Sequence, residues 1–177
     1  MAEMLLTMLI LLLASLIMAT GIPAAKNAYE KVVLASNAEV LLSTTVSALR
    51  NELGTAQDVR EGTPSDDADP AKAETVLTYR SLAREAYSRI YMENEESSKN
   101  GIMLQRYYDA VVPAKTSDPE QLVREKTATG DLYVTYEKAD YDPDTHIVTI
   151  TNMSVDRKSG SKGLAKRDTV SIRVLSD

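Results

Sequence analysis

The sequence predicts an α+β chain in which one long N-terminal helix, apolar at first and amphipathic afterwards, packs on an antiparallel sheet. Three observations carry that expectation. Met4 to Ala25 runs for 22 residues without a charge. From Ala28 to Leu53 apolar residues recur three or four apart, the period of a helix face. The C-terminal part holds short stretches that alternate apolar and polar residues, the period of a half-buried strand.

At about 1.5 Å rise per residue the uncharged run makes a helix of roughly 33 Å, enough for a hydrocarbon core of about 30 Å. Gly21 and Pro23 predict a kink near its end, because proline lacks an N–H and crowds the carbonyl four residues earlier. Beyond it, Ala28, Val32, Ala35, Ala38, Leu42, Val46, Leu49 and Leu53 form one apolar stripe. Lys26, Glu30, Lys31, Glu39, Arg50 and Glu52 lie largely off it, and Gly54 is placed to end the helix as a C′ residue.

The segment GTAQDVREGTPSDDADPAK, Gly54 to Lys72, is rich in Asp, Gly, Pro and Thr and has no apolar period, so it reads as a surface loop. Strands are expected over Thr75–Arg80, Ser88–Glu93, Ile102–Tyr108, Leu132–Lys138, Ile147–Met153 and Thr169–Leu175, with a helical turn over Ser81–Tyr87 and a short helix over Glu120–Lys126. The resulting division is a transmembrane and assembly helix over 1–26, its amphipathic continuation over 27–54, a loop over 55–74 and a β-rich globular head over 75–177.

Composition excludes several classes. A net charge of −6 and a pI near 4.9 argue against general affinity for nucleic acid, which needs clustered Lys and Arg. With no cysteine, disulfides, thiolate metal sites and a cysteine nucleophile are impossible. The single histidine, His146, has no nucleophile or acid–base context around it in the sequence, so neither an enzyme nor a cofactor is expected. Asp140, Asp142 and Asp144 alternate in ADYDPDTH and are candidate Ca²⁺ ligands; the proline between two strand patterns makes a hairpin turn the simpler account. Arg157 to Arg167 holds five basic residues without the order of a phosphate-binding loop, and reads as a solvated hairpin loop or a dock for an anionic polymer.

The N-terminal residues carry a family resemblance. Ala2-Glu3-Met4-Leu5-Leu6-Thr7-Met8-Leu9-Ile10, continuing through the apolar run to Gly21-Ile22-Pro23, resembles the type IV pilins and pseudopilins, particularly those of Gram-positive-type bacteria. In that family a glycine-ending leader is removed and the mature chain carries a glutamate at its fifth position. Glu3 matches that glutamate by context, stands two residues early, and has no basic leader before it; the expectation is that the sequence starts at an internal methionine. The resemblance covers about the first third of the chain.

It implies a pilin-like fold and a structural subunit of a type IV pilus-like or type II secretion-like pseudopilus filament, assembling through Glu3, Met4, Leu5, Leu9, Leu12, Leu16 and Pro23. It implies as partners other pilin subunits, the membrane, an assembly platform and a prepilin peptidase. Glu3 would pair with a neighbouring subunit's N-terminal amine. The implied location is the cytoplasmic membrane, single-pass with an extracytoplasmic head, then an extracellular filament. The alternative is a membrane-anchored or secreted extracytoplasmic binding protein in which Met4 to Ala19 is only a signal core or anchor; no Lys or Arg precedes the apolar run, which opposes that reading.

Overall fold

A computed structural model describes residues 2–62, 76–82, 86–93, 100–107, 118–123, 131–158 and 160–175. Its elements are α1 (Ala2–Leu53), β1 (Ala56–Glu61), β2 (Leu77–Ser81), β3 (Ala86–Glu93), β4 (Gly101–Tyr107), β5 (Glu120–Gln121), β6 (Leu132–Thr135), β7 (Lys138–Asp142), β8 (Ile147–Arg157) and β9 (Ala165–Arg173). One long helix followed by antiparallel sheets makes the fold α+β. The chain divides into two units, Met1–Ser36 and Asn37–Asp177.

In the first unit the described residues are all helical, and the helix runs through Pro23 without a break. Thr7, Ser15 and Thr20 each donate their hydroxyl to a carbonyl three or four residues earlier, at 2.8 to 3.4 Å. Within the apolar run each hydroxyl donor is therefore satisfied by the helix itself, as an apolar environment requires.

In the second unit the core is built by one face of α1 and by the inward residues of two sheets. Ala38, Leu41, Leu42, Val46, Leu49 and Leu53 are buried. The helical period therefore holds, but the buried stripe begins at Ala38: Ala28, Val32 and Ala35 are exposed. The pattern does not change there; the covering sheet residues do.

Sheet A has the order β1-β2-β3-β4-β5, all antiparallel. In sheet B, β8 pairs with β9 on one side and with β6 and β7 on the other. β6 and β7 keep one register against β8, from Leu132 opposite Arg157 to Asp142 opposite Ile147. They are two halves of one edge, interrupted at Tyr136 and Glu137, where Asn152 on β8 takes a left-handed φ of 52°. Along β8 and β9, Val148, Ile150, Met153, Val155, Val170 and Ile172 face the core.

Several boundaries differ from the sequence expectation. Ala56–Glu61 is a strand, although it lies in the segment read as loop. Only Ala56 and Val59 of it are buried, because a bulge with Asp58 at a φ of 49° shifts the register between Gln57 and Arg60 and breaks the two-residue period. Glu120 and Gln121 pair with β4 and do not begin a helix, and Ala86 and Tyr87 belong to β3. Most of the expected loop, the centre of the expected turn at 83–85, and residues 124–126 lie outside the described residues.

Gly54 directly follows the last residue of α1, as expected of a C′ residue, with a φ outside the left-handed region. Its N–H donates to the Arg50 carbonyl at 2.8 Å, and a Cβ at this position would lie 2.6 Å from that oxygen. Glycine is required here for close approach to the last helical turn.

Candidate assembly helix and head surface

The expected assembly residues lie on the first unit's helix. Leu5, Leu9, Leu12, Leu16 and Pro23 follow one another at intervals of three, four or seven, so at about 100° per residue they form a single stripe. The same arithmetic puts Glu3 on roughly the opposite side, with Thr7, Ile10, Ala14 and Gly21. The helix thus separates the aliphatic stripe from the carboxylate. Met4, Leu5, Leu9, Leu12 and Leu16 are between 57% and 77% exposed among the described residues. Glu3 sits in the first turn, where the positive end of the helix dipole favours a carboxylate. By length and hydropathy this helix is able to cross a membrane.

The apolar character runs past the charged pair Lys26 and Glu30, which lie 3.7 Å apart. Tyr29, Val32 and Val40 are each more than 60% exposed. An aromatic hydroxyl beside lysines just after an apolar run is the composition of a membrane–water interface.

A polar cluster that the sequence did not suggest lies inside the second unit. Glu52 accepts from the Tyr79 hydroxyl at 3.4 Å, and its other oxygen lies 3.7 Å from the Arg106 guanidinium. Ser88 stands directly opposite both Tyr79 and Arg106 in the sheet register, fully buried. Burial, followed by the adjacent Glu52 charge, pushes the Tyr79 hydroxyl far above its ordinary pKa, so it stays a neutral donor. Glu52 lies off the apolar stripe, yet its side chain is only 21% exposed. The partners are more than 25 residues away in sequence, and no local pattern reports them.

Asp140 lies within β7, and Asp142 at the end of that strand opens a turn that contains Asp144. Asp142 accepts from the Thr145 hydroxyl at 2.8 Å and from the Asp144 N–H at 2.9 Å, which holds its carboxyl below the ordinary range. Asp140 is paired with Lys138 at 2.6 Å. Among the described residues no group of three or more His, Asp or Glu has the spacing of a metal site.

The basic segment connects β8 to β9 as a structured loop. Arg157 N–H donates to Ser161 O at 2.7 Å, Leu164 N–H to Val155 O at 2.9 Å, and Gly163 N–H to the buried Asp156 carboxylate at 2.8 Å. Lys162, Lys166 and Arg167 are exposed. A cavity of about 20 Å³ beside Leu41, Thr45, Ile102, Leu132 and Val134 has room for roughly one water and none for a substrate.

No protein family, curated protein or solved structure matches this chain.

Proposed function

We propose that the chain is a structural subunit of a type IV pilus-like or pseudopilus filament, held in the cytoplasmic membrane by α1 before assembly, with its head outside the cytoplasm. One observation carries this reading. A helix with a 22-residue uncharged run leaves that surface largely exposed among the described residues, while the following β-rich unit has a buried core of its own. Such a surface needs either lipid or other helices, and a subunit that passes from membrane to filament exchanges one for the other without any covalent chemistry. The resemblance of the N-terminal residues favours this over a simple anchor, and an assembly platform and a prepilin peptidase are then the expected partners.

Glu3 has a defined part in this reading. A carboxylate at mid-bilayer costs about 2.5–3.5 kcal/mol on insertion scales, and less near the interface. Pairing with a neighbouring subunit's N-terminal amine would offset that cost and favour one axial register. The test is filament yield from cells expressing wild type and Glu3→Ala at equal membrane levels. The expected result is loss of filaments with the head's thermal stability unchanged; undiminished filaments would reject the pairing. A membrane-anchored binding protein would yield no sheared, pelletable polymer from either strain.

A further inference from the structure

Two charged segments unused by the assembly helix lie at opposite ends of β8. The turn before Ile147 exposes Asp142 and Asp144, and the loop after Arg157 leads through exposed Lys162 to exposed Lys166 and Arg167 at the start of β9. Lys166 and Arg167 stand opposite Ser154 and Met153, six or seven residues along β8 from Ile147, so at about 3.3 Å each they lie roughly 20–23 Å from the turn. That is more than two Debye lengths of about 8 Å, so the two charged segments largely escape neutralising each other within one copy.

Both ends are preformed. The turn is fixed by the two bonds to Asp142, and the loop by the bonds of Arg157, Gly163 and Leu164 given above. Some charge is compensated locally: Lys138 pairs with Asp140, Arg173 stands opposite Ile147, Asp131 lies 3.9 Å from Arg157, and Asp168 follows Arg167. Lys162, Lys166 and Arg167 have no ion-pair partner among the described residues. From Arg157 to Arg173 the chain carries six cations and one carboxylate, a net +5 in a chain of −6, which leaves −11 for everything else.

We propose that the β8–β9 loop of one copy docks on the acidic turn before β8 of a second copy. A second copy fits better than a nucleic acid or another polyanion, because a polyanion attracted to three cations is repelled by the acidic remainder. A second copy presents both signs, and its acidic turn is ready-made. The contact joins two different patches, so it can repeat from copy to copy, and with the parallel copies of the filament reading it builds an open chain. It deepens the filament reading and rests on it for the parallel arrangement of copies.

The sequence contains no cysteine, which gives a clean background for disulfide trapping in the membrane. Asp144→Cys and Lys162→Cys variants are expressed singly and together and exposed to an oxidant. The expected result is a disulfide-linked dimer in the mixture and in neither single population. Lys166→Glu with Arg167→Glu in the Lys162→Cys copy should lower its yield about fivefold or more, because Asp142, the turn carboxylate left in the Asp144→Cys copy, then faces two negative charges where it had two cations. Pro143→Lys in the Asp144→Cys copy should restore it. No mixed disulfide, or one indifferent to charge reversal, overturns the proposal, as does retention on immobilised DNA without a mixed disulfide. Leu9→Cys reports helix association separately. A Leu9 disulfide without the Asp144–Lys162 one rejects end-to-end docking and leaves the assembly helix standing; the converse keeps the docking and rejects helix-driven assembly.

Discussion

Glu52→Lys should destabilise the β-rich unit, although the residue lies off the apolar stripe of α1. In the structure its carboxylate faces Arg106 at 3.7 Å and receives the Tyr79 hydroxyl at 3.4 Å, with side chains only 21% and 17% exposed at Glu52 and Arg106. At that distance an effective dielectric of about 20 gives a Coulomb attraction of about 4 kcal/mol before desolvation and residual solvent screening are deducted. Removing the carboxylate leaves Arg106 with a repulsive neighbour and Tyr79 without this acceptor, for which about 2–3 kcal/mol is a reasonable net loss, below the 3–5 of a fully buried pair. In a unit of this size that corresponds to a fall in midpoint of about 6–10 °C. The assay is thermal unfolding of the full chain in detergent, followed by circular dichroism in the β region, with exposed Glu39→Lys as control. Equal midpoints for the two variants, or a coupling below about 0.5 kcal/mol in a Glu52→Gln and Arg106→Gln cycle, would refute the account.

Leu49→Asp and Leu42→Asp place a carboxylate at positions that are 0% and 2% exposed, and each should abolish folding of the β-rich unit, while Val32→Asp should leave its unfolding midpoint unchanged. Gly54→Ala should lower the midpoint by the equivalent of about 1–3 kcal/mol, because its Cβ meets the Arg50 carbonyl; an unchanged midpoint means the last turn relaxes freely. Asp142 has a folded-state pKa below its ordinary 3.8, so its stabilising effect is present above that value and is lost as pH falls through the folded pKa. The midpoint difference between wild type and Asp142→Asn should therefore shrink on acidification below pH 3.8; a constant difference would show that its charge is immaterial.

Much of the fold was legible because it depends on periods that tertiary contacts do not alter. The uncharged run, the helical spacing up to Leu53 and the alternation in β8 and β9 are all properties of neighbouring residues. β1 was not legible, because its bulge at Asp58 converts a two-residue period into two buried residues three apart. The break between β6 and β7 depends on Asn152, a residue on the partner strand. The start of the buried stripe at Ala38 depends on where sheet residues cover the helix, and the burial of Glu52 depends on Tyr79 and Arg106. The candidate assembly residues came from the family resemblance, and helix geometry puts Leu5, Leu9, Leu12, Leu16 and Pro23 on one stripe, Glu3 on roughly the opposite side and Met4 between them.

Within the second unit, the face of α1 turned away from the core is chemically intermediate between lipid-compatible and charged. Ser43, Thr44 and Ser47 are exposed there, and the Thr44 and Ser47 hydroxyls donate to Val40 O and Ser43 O at 2.8 and 3.0 Å. A hydroxyl that spends its donor on its own helix costs little when water is removed from it, whereas an ionised side chain in the same place costs several kcal/mol. With exposed Val40 above them, these residues form a surface soluble in water and cheap to dehydrate. A helix whose partner is only solvent has no need of this restraint in charge, and one that must later lie against other helices does. Under the proposed filament reading this face is a second surface open to other helices, and Ser47→Glu, with its unaltered core, should reduce polymer yield while leaving the unfolding midpoint in place; full yield would confine assembly to the apolar run.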